Sequence, residues 1–239
     1  EYTDAGDSDV YNQEYLNYPI DEQRALFRRD DFVPMTEQEV LDMVSGSIPV
    51  NYFIGTDLAV SKNTRADYSA FVVAGIDYKG KMYIVEVIRE RIDSLEIINT
   101  FFQLQEKYNP EWFVIEKGAL EKAIGPFLRE EMFMRNSFPR LEGIPASVDK
   151  EERAKSIQGR VRVRGVKFNK DTDWYPNFES ELLTFPRGKH DDQVDAFSMI
   201  GLALEKLIHA PSREDLEEEE YNDELRRMDV ADSGRSQTT

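Results

Sequence analysis

The 239-residue chain contains no cysteine and only two histidines, His190 and His209. The absence of cysteine excludes disulfide bonds and thiolate metal sites, so oxygen atoms or these two imidazoles would have to hold any bound metal. Oxygen ligands favour hard cations such as Mg²⁺ and Mn²⁺. The composition therefore directs the search for a metal site towards carboxylates.

The sequence also lacks three familiar functional segments. No stretch approaches the roughly 18 consecutive apolar residues of a membrane span, and the first residues do not form a signal peptide. The phosphate-loop pattern G-x-x-x-x-G-K-[ST] is absent, so ATP hydrolysis is not expected. A soluble protein with no membrane partner is predicted.

A net positive charge, the usual mark of a nucleic-acid-binding protein, is missing as well, because the formal net charge is −17. The acidity is concentrated at the two ends: residues 1–50 carry 12 acidic and 3 basic side chains, and residues 210–239 carry 10 and 4. Residues 51–209 are therefore nearly neutral, which leaves nucleic acid open as a partner. We expect residues 1–50 to connect to a neighbouring domain and residues 210–239, which are poor in apolar side chains, to be a disordered acidic tail.

The apolar pattern of residues 51–209 predicts a single α/β domain. Strands are predicted at residues 52–61, 68–77, 81–91, 111–118 and 140–147, and helices at residues 94–108 and 119–134 and near the end of the domain. A short Gly-containing hairpin joins the second and third strands. The order predicts a mixed central sheet, with three antiparallel strands followed by parallel strands and helices on both faces.

Five acidic residues stand where such a sheet could bring them together. Asp57 lies in the first strand and Glu116 at the end of the fourth, while "HDDQVDAF" places Asp191, Asp192 and Asp195 at the start of the last helix. Ligands of sheets with parallel strands bind outside the carboxyl ends of strands, near a switch in strand order. The five carboxylates are therefore expected to converge.

Each acid also has a purely structural explanation. Asp57 could close a strand, Glu116 could pair with Lys117 or Lys122, and one aspartate of residues 191–192 could cap the last helix. Clustered carboxylates, however, repel one another strongly in a cleft of low dielectric constant unless a cation compensates them. All three groups in this order favour a shared cation.

The carboxylate set predicts phosphodiester hydrolysis. Two Mg²⁺ or Mn²⁺ ions held by carboxylates about 3.5–4 Å apart can activate a water molecule and stabilise the leaving 3′ oxygen. Such ions also use the phosphate oxygens of the substrate as ligands.

A basic stretch could bind that substrate. "RAKSIQGRVRVRGVK", residues 153–167, contains six basic residues and no acid. As a helix it would place Arg153, Arg160 and Arg164 on one stripe, for phosphate contact or simply as a solvated face. The candidate DNA-binding residues are Lys62, Arg65, Lys117, Lys122, Arg153, Lys155, Arg160, Arg162, Arg164 and Lys189.

Three segments carry a family resemblance: "FIGTDLAVSKNTRADYSAFVVAGID", "FVIEKG" and "HDDQVDAF". Over roughly residues 50–208 the chain resembles the C-terminal nuclease domain of the large terminase subunit of tailed bacteriophages, a ribonuclease H-like fold related to RuvC resolvases. The resemblance implies cutting of concatemeric double-stranded viral DNA during genome packaging in the host cytoplasm. It also implies an ATPase domain in the same full-length chain, joined through residues 1–50, with the portal and the small terminase subunit as partners. The isolated domain is expected to be monomeric.

The same resemblance suggests individual roles. It makes Asp57 and Glu116 metal ligands, and it ranks Asp192 ahead of Asp191 and Asp195 as the third, catalytic ligand. Supporting residues are Asp67 and His190.

Two other functions stay open from the sequence. A Holliday-junction resolvase or a transposase would use the same fold and acids. A non-catalytic DNA-binding or motor-docking module would use the acids to hold a structural cation.

Overall fold

The computed structural model describes residues 25–59, 68–119, 124–145 and 149–208. The chain divides into two units, residues 1–203 and 204–239, and of the second only residues 204–208 are described. The strands are β1 (Val33–Pro34), β2 (Val50–Asp57), β3 (Ser69–Asp77), β4 (Met82–Glu90), β5 (Trp112–Glu116), β6 (Leu141–Ile144) and β7 (Val166–Phe168). The helices are α1 (Glu37–Ser45), α2 (Ser94–Tyr108), α3 (Gly125–Arg135), α4 (Lys150–Arg162), α5 (Tyr175–Thr184) and α6 (Asp192–Ile208), with short helical turns at Arg29–Asp31 and Lys117–Ala119.

The strands form one mixed sheet in the order β1-β7-β4-β3-β2-β5-β6. β3 is antiparallel to both β2 and β4, and the other neighbouring strands are parallel. The predicted fold class is therefore confirmed, including the adjacency of the first and fourth predicted strands, which are β2 and β5. β1 and β7 were not predicted, because two or three residues are too few to show a periodic pattern.

The central strand, β3, is formed by the apolar run "SAFVVAGID", of which the first seven residues are buried. Gly80 follows it with a φ of 77°, a left-handed conformation that suits the tight turn into β4. β2 ends at Asp57, where its pairing with β3 stops opposite Ala70. Asp57 is thus the last residue of β2, whereas the sequence pattern extended this strand to residue 61.

Helices cover both faces of the sheet. α2 begins with a capping box between Asp93 and Glu96 and buries Phe101, whose ring centroid lies 5.5 Å from that of Phe71 and 4.9 Å from that of Phe113. α3 adds Leu128 to the same core. A separate apolar cluster joins α6 to β5 and β6.

α6 lies unusually close to the sheet and to α4. A Cβ atom on Gly55 of β2 would stand 1.9 Å from the carbonyl oxygen of Ala196 in α6, and one on Gly201 of α6 would stand 2.3 Å from the hydroxyl oxygen of Ser156 in α4. The Ser156 hydroxyl also lies 3.3 Å from the carbonyl oxygen of Ser198. Gly55 thus lets the first turns of α6 approach the end of β2, and Gly201 lets the middle of α6 approach α4.

We expect Gly55→Ala to destabilise the protein by about 2–3 kcal/mol, because the methyl group would meet backbone atoms that cannot rotate away. Urea unfolding monitored by circular dichroism measures the change. Gly159→Ala in α4 is the matched control: its added Cβ meets nothing within 4 Å, so it should stabilise the helix by about 0.5–1 kcal/mol. Equal stabilities of the Gly55→Ala variant and the wild type would contradict this packing.

The segment before residue 51 contributes to the same sheet. β1 pairs in parallel with β7, and Phe27 and Phe32 are buried. α1 begins with a capping box at Thr36, and its Glu39 forms an ion pair with Lys167 of β7. Residues 25–50 therefore pack on the domain. That residues 1–50 link it to a neighbouring domain stays a prediction.

Several predictions fall on residues that the structure does not describe, among them those for the C-terminal end. The acidic tail, residues 210–239, and His209 lie outside the described residues. In the part of the chain that the structure describes, no helix combines the length and apolar character needed to cross a membrane.

Candidate metal site

The carboxyl ends of β2 and β5 bring two acids to one edge of the sheet. Gly55 and Val114 are paired in parallel register, and Asp57 and Glu116 each follow two residues later. The Thr56 hydroxyl donates a hydrogen bond to the carbonyl oxygen of Val114 at 3.1 Å, which ties the two strand ends together. The position of both acids follows from the pairing; their role as ligands stays a prediction.

The N-terminus of α6 is capped by a carboxylate from another helix. Glu181 of α5 accepts hydrogen bonds from the backbone N–H groups of Gln193 at 2.6 Å and Val194 at 3.0 Å, and from the Gln193 side-chain amide at 2.7 Å. These N–H groups are among the free donors of the first helical turn. Glu181 therefore does the capping that the sequence assigned to an aspartate of residues 191–192.

The acids share one electrostatic environment. Burial raises the pKa of Asp57 to about 7, and the negative charges of Asp195, Asp192 and Asp191 add to the increase, whereas Lys150 opposes it. Coulomb interactions of this kind require short distances. The acids at the start of α6 therefore lie near the end of β2, and together with burial they hold the pKa of Asp57 well above its ordinary value.

Asp195 is the most buried of these acids, with 3% of its surface exposed. Its Oδ2 lies 2.9 Å from the ammonium nitrogen of Lys150, which is also 2.7 Å from Oδ2 of Asp191. Its Oδ1 lies 3.5 Å from Nη2 of Arg153 and has no hydrogen-bond partner. Burial raises the pKa of Asp195, and Lys150 and Arg153 offset only part of that increase.

Arg153 lies inside the site and not on the surface. It is 7% exposed, and its Nη1 is 3.6 Å from Oε2 of Glu116. The prediction that it shares an exposed stripe with Arg160 and Arg164 is wrong. Arg153 stands four residues before buried Ile157, so it occupies the inner face of α4, and Arg164 follows the helix with a φ of 58°.

Asp192 is held by a different cation. Nε and Nη2 of Arg89 each donate to its Oδ2 at 3.2 Å, and the same guanidinium lies 3.7 Å from Glu181. Arg89 stacks on the ring of Tyr68 at 3.8 Å from the centroid. Nδ1 of His190 is 3.9 Å from Oδ2 of Asp192, and the His190 ring meets Tyr68 edge-on. Asp192 thus belongs to a cationic and aromatic group beside Asp195.

The acids converge without forming a closed ligand set. Within residues 25–59, 68–119, 124–145 and 149–208, no three acidic or histidine side chains are gathered closely enough to enclose a metal ion. Lys150 and Arg153 stand between the carboxylates instead. The arrangement is a carboxylate cluster whose charge is compensated in part by two side chains of α4.

The other predicted residues divide by exposure. Arg160 is half-buried. The predicted DNA-binding residues with exposed side chains are Lys117, Lys155, Arg162, Arg164 and Lys189. Three more of the predicted DNA-binding residues, Lys62, Arg65 and Lys122, lie outside the described residues, as does the predicted supporting residue Asp67. DNA contact by the predicted DNA-binding residues, buried Arg153 included, stays a prediction, and so does the supporting role of Asp67.

Four contributors to the site were not found from the sequence: Lys150, Arg89, Glu181 and Tyr68. Lys150 has acidic neighbours on both sides in "DKEE". This pattern is typical of an exposed, charged helix, so no sequence signal placed Lys150 in the site. Arg89 and Glu181 each act on a residue distant in sequence from themselves. Glu181 directly precedes the apolar pair Leu182 and Leu183, which is the only signal that its carboxylate could face the interior.

A sequence profile of the family described as "Terminase RNaseH-like domain" matches residues 54–204, more than half of the chain. The chain belongs to the terminase RNase H-like domain family. The match begins within β2 and ends within α6, so it includes Asp57, Glu116 and the three aspartates at the head of α6. The resemblance predicted from the sequence is confirmed at the level of the family.

Solved terminase structures are similar in fold to this terminase domain. The large terminase nuclease from thermophilic phage G20c with bound zinc has 19% identity and a TM-score of 0.47, covering 63% of this chain and 80% of that chain. The Thermus phage P74-26 large terminase nuclease domain has 18% identity and a TM-score of 0.46, with coverage of 63% and 77%. The large terminase from a further thermophilic bacteriophage has 14% identity and a TM-score of 0.50, covering 75% of this chain and 43% of that chain. No curated protein matches the sequence.

Proposed function

We propose that this terminase domain is a divalent-metal-dependent endonuclease that hydrolyses phosphodiester bonds of DNA. The observation that carries the proposal is the Asp195 carboxylate, which is 3% exposed and keeps one oxygen without a hydrogen-bond partner among other acids. A buried carboxylate oxygen that accepts no hydrogen bond is costly, and the Arg153 guanidinium 3.5 Å away compensates its charge only in part, so this oxygen is available to a ligand. Family membership supports the same reaction.

The donor set fits a hard cation. Asp57, Glu116 and Asp195 offer carboxylate oxygens, which Mg²⁺ and Mn²⁺ prefer, and the chain contains no thiolate that would favour a softer metal. We infer that these three residues would hold the metal, with two ions in the working enzyme. When bound, the ions supply Lewis acidity and an activated water molecule.

The structure favours Asp195 over Asp192 as the third ligand. Oδ2 of Asp192 already accepts two hydrogen bonds from Arg89, which would have to be broken first. Asp195 Oδ1 accepts none. Asp191 is next in this order, because it is half-exposed and shares Lys150 with Asp195.

We propose double-stranded DNA as the substrate, in the form of concatemeric viral DNA cut during packaging. Tyr68, Arg89 and exposed Arg91 form a cation and aromatic group next to Asp192, with Arg91 4.5 Å from the Tyr68 ring centroid. Such groups suit phosphate and base contacts. An ATPase domain in the same full-length chain, the portal and the small terminase subunit are the proposed partners, and the isolated domain is proposed to be monomeric.

A non-catalytic DNA-binding or docking module is the second candidate. It is favoured by one observation: Lys150 and Arg153 already balance the buried acids, so the fold can exist without a metal. In that case the cluster would be structural.

Cleavage of supercoiled plasmid separates these functions. We expect nicking and linearisation with Mn²⁺ or Mg²⁺ and none with EDTA. Faster cutting of four-way junctions than of linear duplex would instead indicate a resolvase, and joining of strands would indicate a transposase. Absence of cutting across divalent ions would support the docking module.

Metal binding should depend on pH through Asp57. Protons compete with the metal below the pKa of about 7, so Mn²⁺ affinity should rise up to about tenfold per pH unit between about pH 5.5 and 7 and level off above about 7.5. Isothermal titration calorimetry at several pH values measures this change. An affinity that does not vary across this interval would exclude Asp57 as a ligand.

A further inference from the structure

Lys150 lies between the carboxylates of Asp191, which directly precedes α6, and Asp195 in the first turn of α6. It is the first residue of α4, and its ammonium nitrogen is 2.7 Å from Oδ2 of Asp191 and 2.9 Å from Oδ2 of Asp195. Both distances are those of short charge-assisted hydrogen bonds. One positive charge thus bridges Asp195, a proposed metal ligand, and its neighbour Asp191.

The same ammonium also acts on Asp57. Lys150 lowers the pKa of Asp57 against the increase caused by burial and by the neighbouring aspartates. Burial disfavours the Lys150 ammonium, but hydrogen bonds to Asp191 and Asp195 outweigh this effect and raise the pKa of Lys150 above its usual range. The side chain therefore remains charged at neutral pH.

Arg153 is the second cation of α4 in the site, and it lies farther from the carboxylates than Lys150 does. It stands one turn after Lys150 on α4, and its guanidinium is 3.5 Å from Asp195 Oδ1 and 3.6 Å from Glu116 Oε2. Neither Asp195 Oδ1 nor Arg153 Nε has a hydrogen-bond partner, although both are buried. Oδ2 of Asp195 therefore has a hydrogen-bond donor in Lys150, whereas its Oδ1 accepts no hydrogen bond.

We propose that the Lys150 ammonium is a resident counter-ion, which a divalent metal ion must displace from Asp191 and Asp195. The inference rests on the proposed function. An ammonium and a divalent ion repel each other, and both require the oxygens of the same carboxylates. Half of the Lys150 side chain is exposed, at 49%, so the ammonium can move into solvent when the metal enters. Lys150 therefore sets the metal affinity and holds the metal-free site together.

Lys150→Met tests this role, because methionine removes the charge and keeps an unbranched side chain. We expect Mn²⁺ to bind the variant at least fivefold more tightly than the wild type in isothermal titration calorimetry. In EDTA the variant should melt at a lower temperature, since the acids lose their counter-charge. Lys150→Arg should retain wild-type affinity within about twofold. A purely structural lysine would lower the melting temperature without increasing the affinity.

Lys79→Met is the matched control. Lys79 is exposed in the turn between β3 and β4, at the end of the sheet opposite Asp57, so its removal changes the net charge equally without touching the site. The same gain in affinity in both variants would overturn the inference, because it would reflect net charge alone. Equal or weaker binding by Lys150→Met, with binding lost in Asp57→Asn, would overturn the inference and leave the proposed function intact. No Mn²⁺ binding by the wild type or Lys150→Met at millimolar concentration would overturn both.

Discussion

Asp57→Asn is expected to lower the rate of metal-dependent plasmid cleavage at least about a hundredfold. The amide keeps the shape of the side chain but removes the negative charge that would compensate a divalent ion. The substitution would also relieve repulsion with the aspartates of α6, because burial and these charges raise the pKa of Asp57 to about 7. The variant should therefore lose activity without losing stability.

Initial rates of plasmid nicking in Mn²⁺ give the effect, with thermal melting in EDTA as the folding control. Glu116→Gln should show a loss of the same order, because Glu116 stands at the adjacent strand end. Glu106→Gln on the exposed side of α2 changes the same charge away from the site and should cleave at the wild-type rate. Wild-type cleavage by both Asp57→Asn and Glu116→Gln would refute the assignment of the site.

Glu181→Ala is expected to destabilise the protein by about 3–5 kcal/mol. Its carboxylate accepts three hydrogen bonds from Gln193 and Val194 and lies 3.7 Å from Arg89, all in a buried environment. Truncation leaves buried donors without an acceptor and removes part of the charge that compensates Arg89. Chemical unfolding of the metal-free protein measures the loss.

Two further variants show whether the loss of stability comes from the hydrogen bonds, the charge or the substitution of any glutamate. Glu181→Gln keeps an acceptor oxygen for the helix N-terminus but loses the charge, so an intermediate loss is expected. Glu130→Ala replaces an exposed glutamate in α3 and should change stability by less than about 0.5 kcal/mol. A Glu181→Ala protein as stable as the wild type would show that solvent, and not Glu181, satisfies the start of α6.

The parts of the fold that could be predicted have a regular pattern over many residues. β3 and α2 were placed within a residue, because nine and fifteen residues of clear period identify a buried strand and an amphipathic helix. The adjacency of Asp57 and Glu116 followed from a general rule about the ends of parallel strands. β1 and β7 had too few residues to be recognised, and they depend on each other for pairing.

The charge balance of the site could not be predicted, because its partners are far apart in sequence. Lys150 meets acids some forty residues later, and Arg89 meets Asp192 across most of the domain. Arg153 shows the general difficulty. An arginine is usually expected at the surface. Burial of this guanidinium is favourable only because the carboxylates of Glu116 and Asp195 face this side of α4.

The absence of a side chain at Gly55 and Gly201 has a kinetic consequence. Because the backbone of α6 lies against β2 at Gly55 and against Ser156 of α4 at Gly201, the helix cannot move closer to either neighbour. Under the proposed counter-ion role, access of a metal to these carboxylates requires rotation of the half-exposed Lys150 side chain and no movement of a whole helix. Side-chain rotation is the faster of the two kinds of motion, so metal-free and metal-bound domains should share the same backbone arrangement.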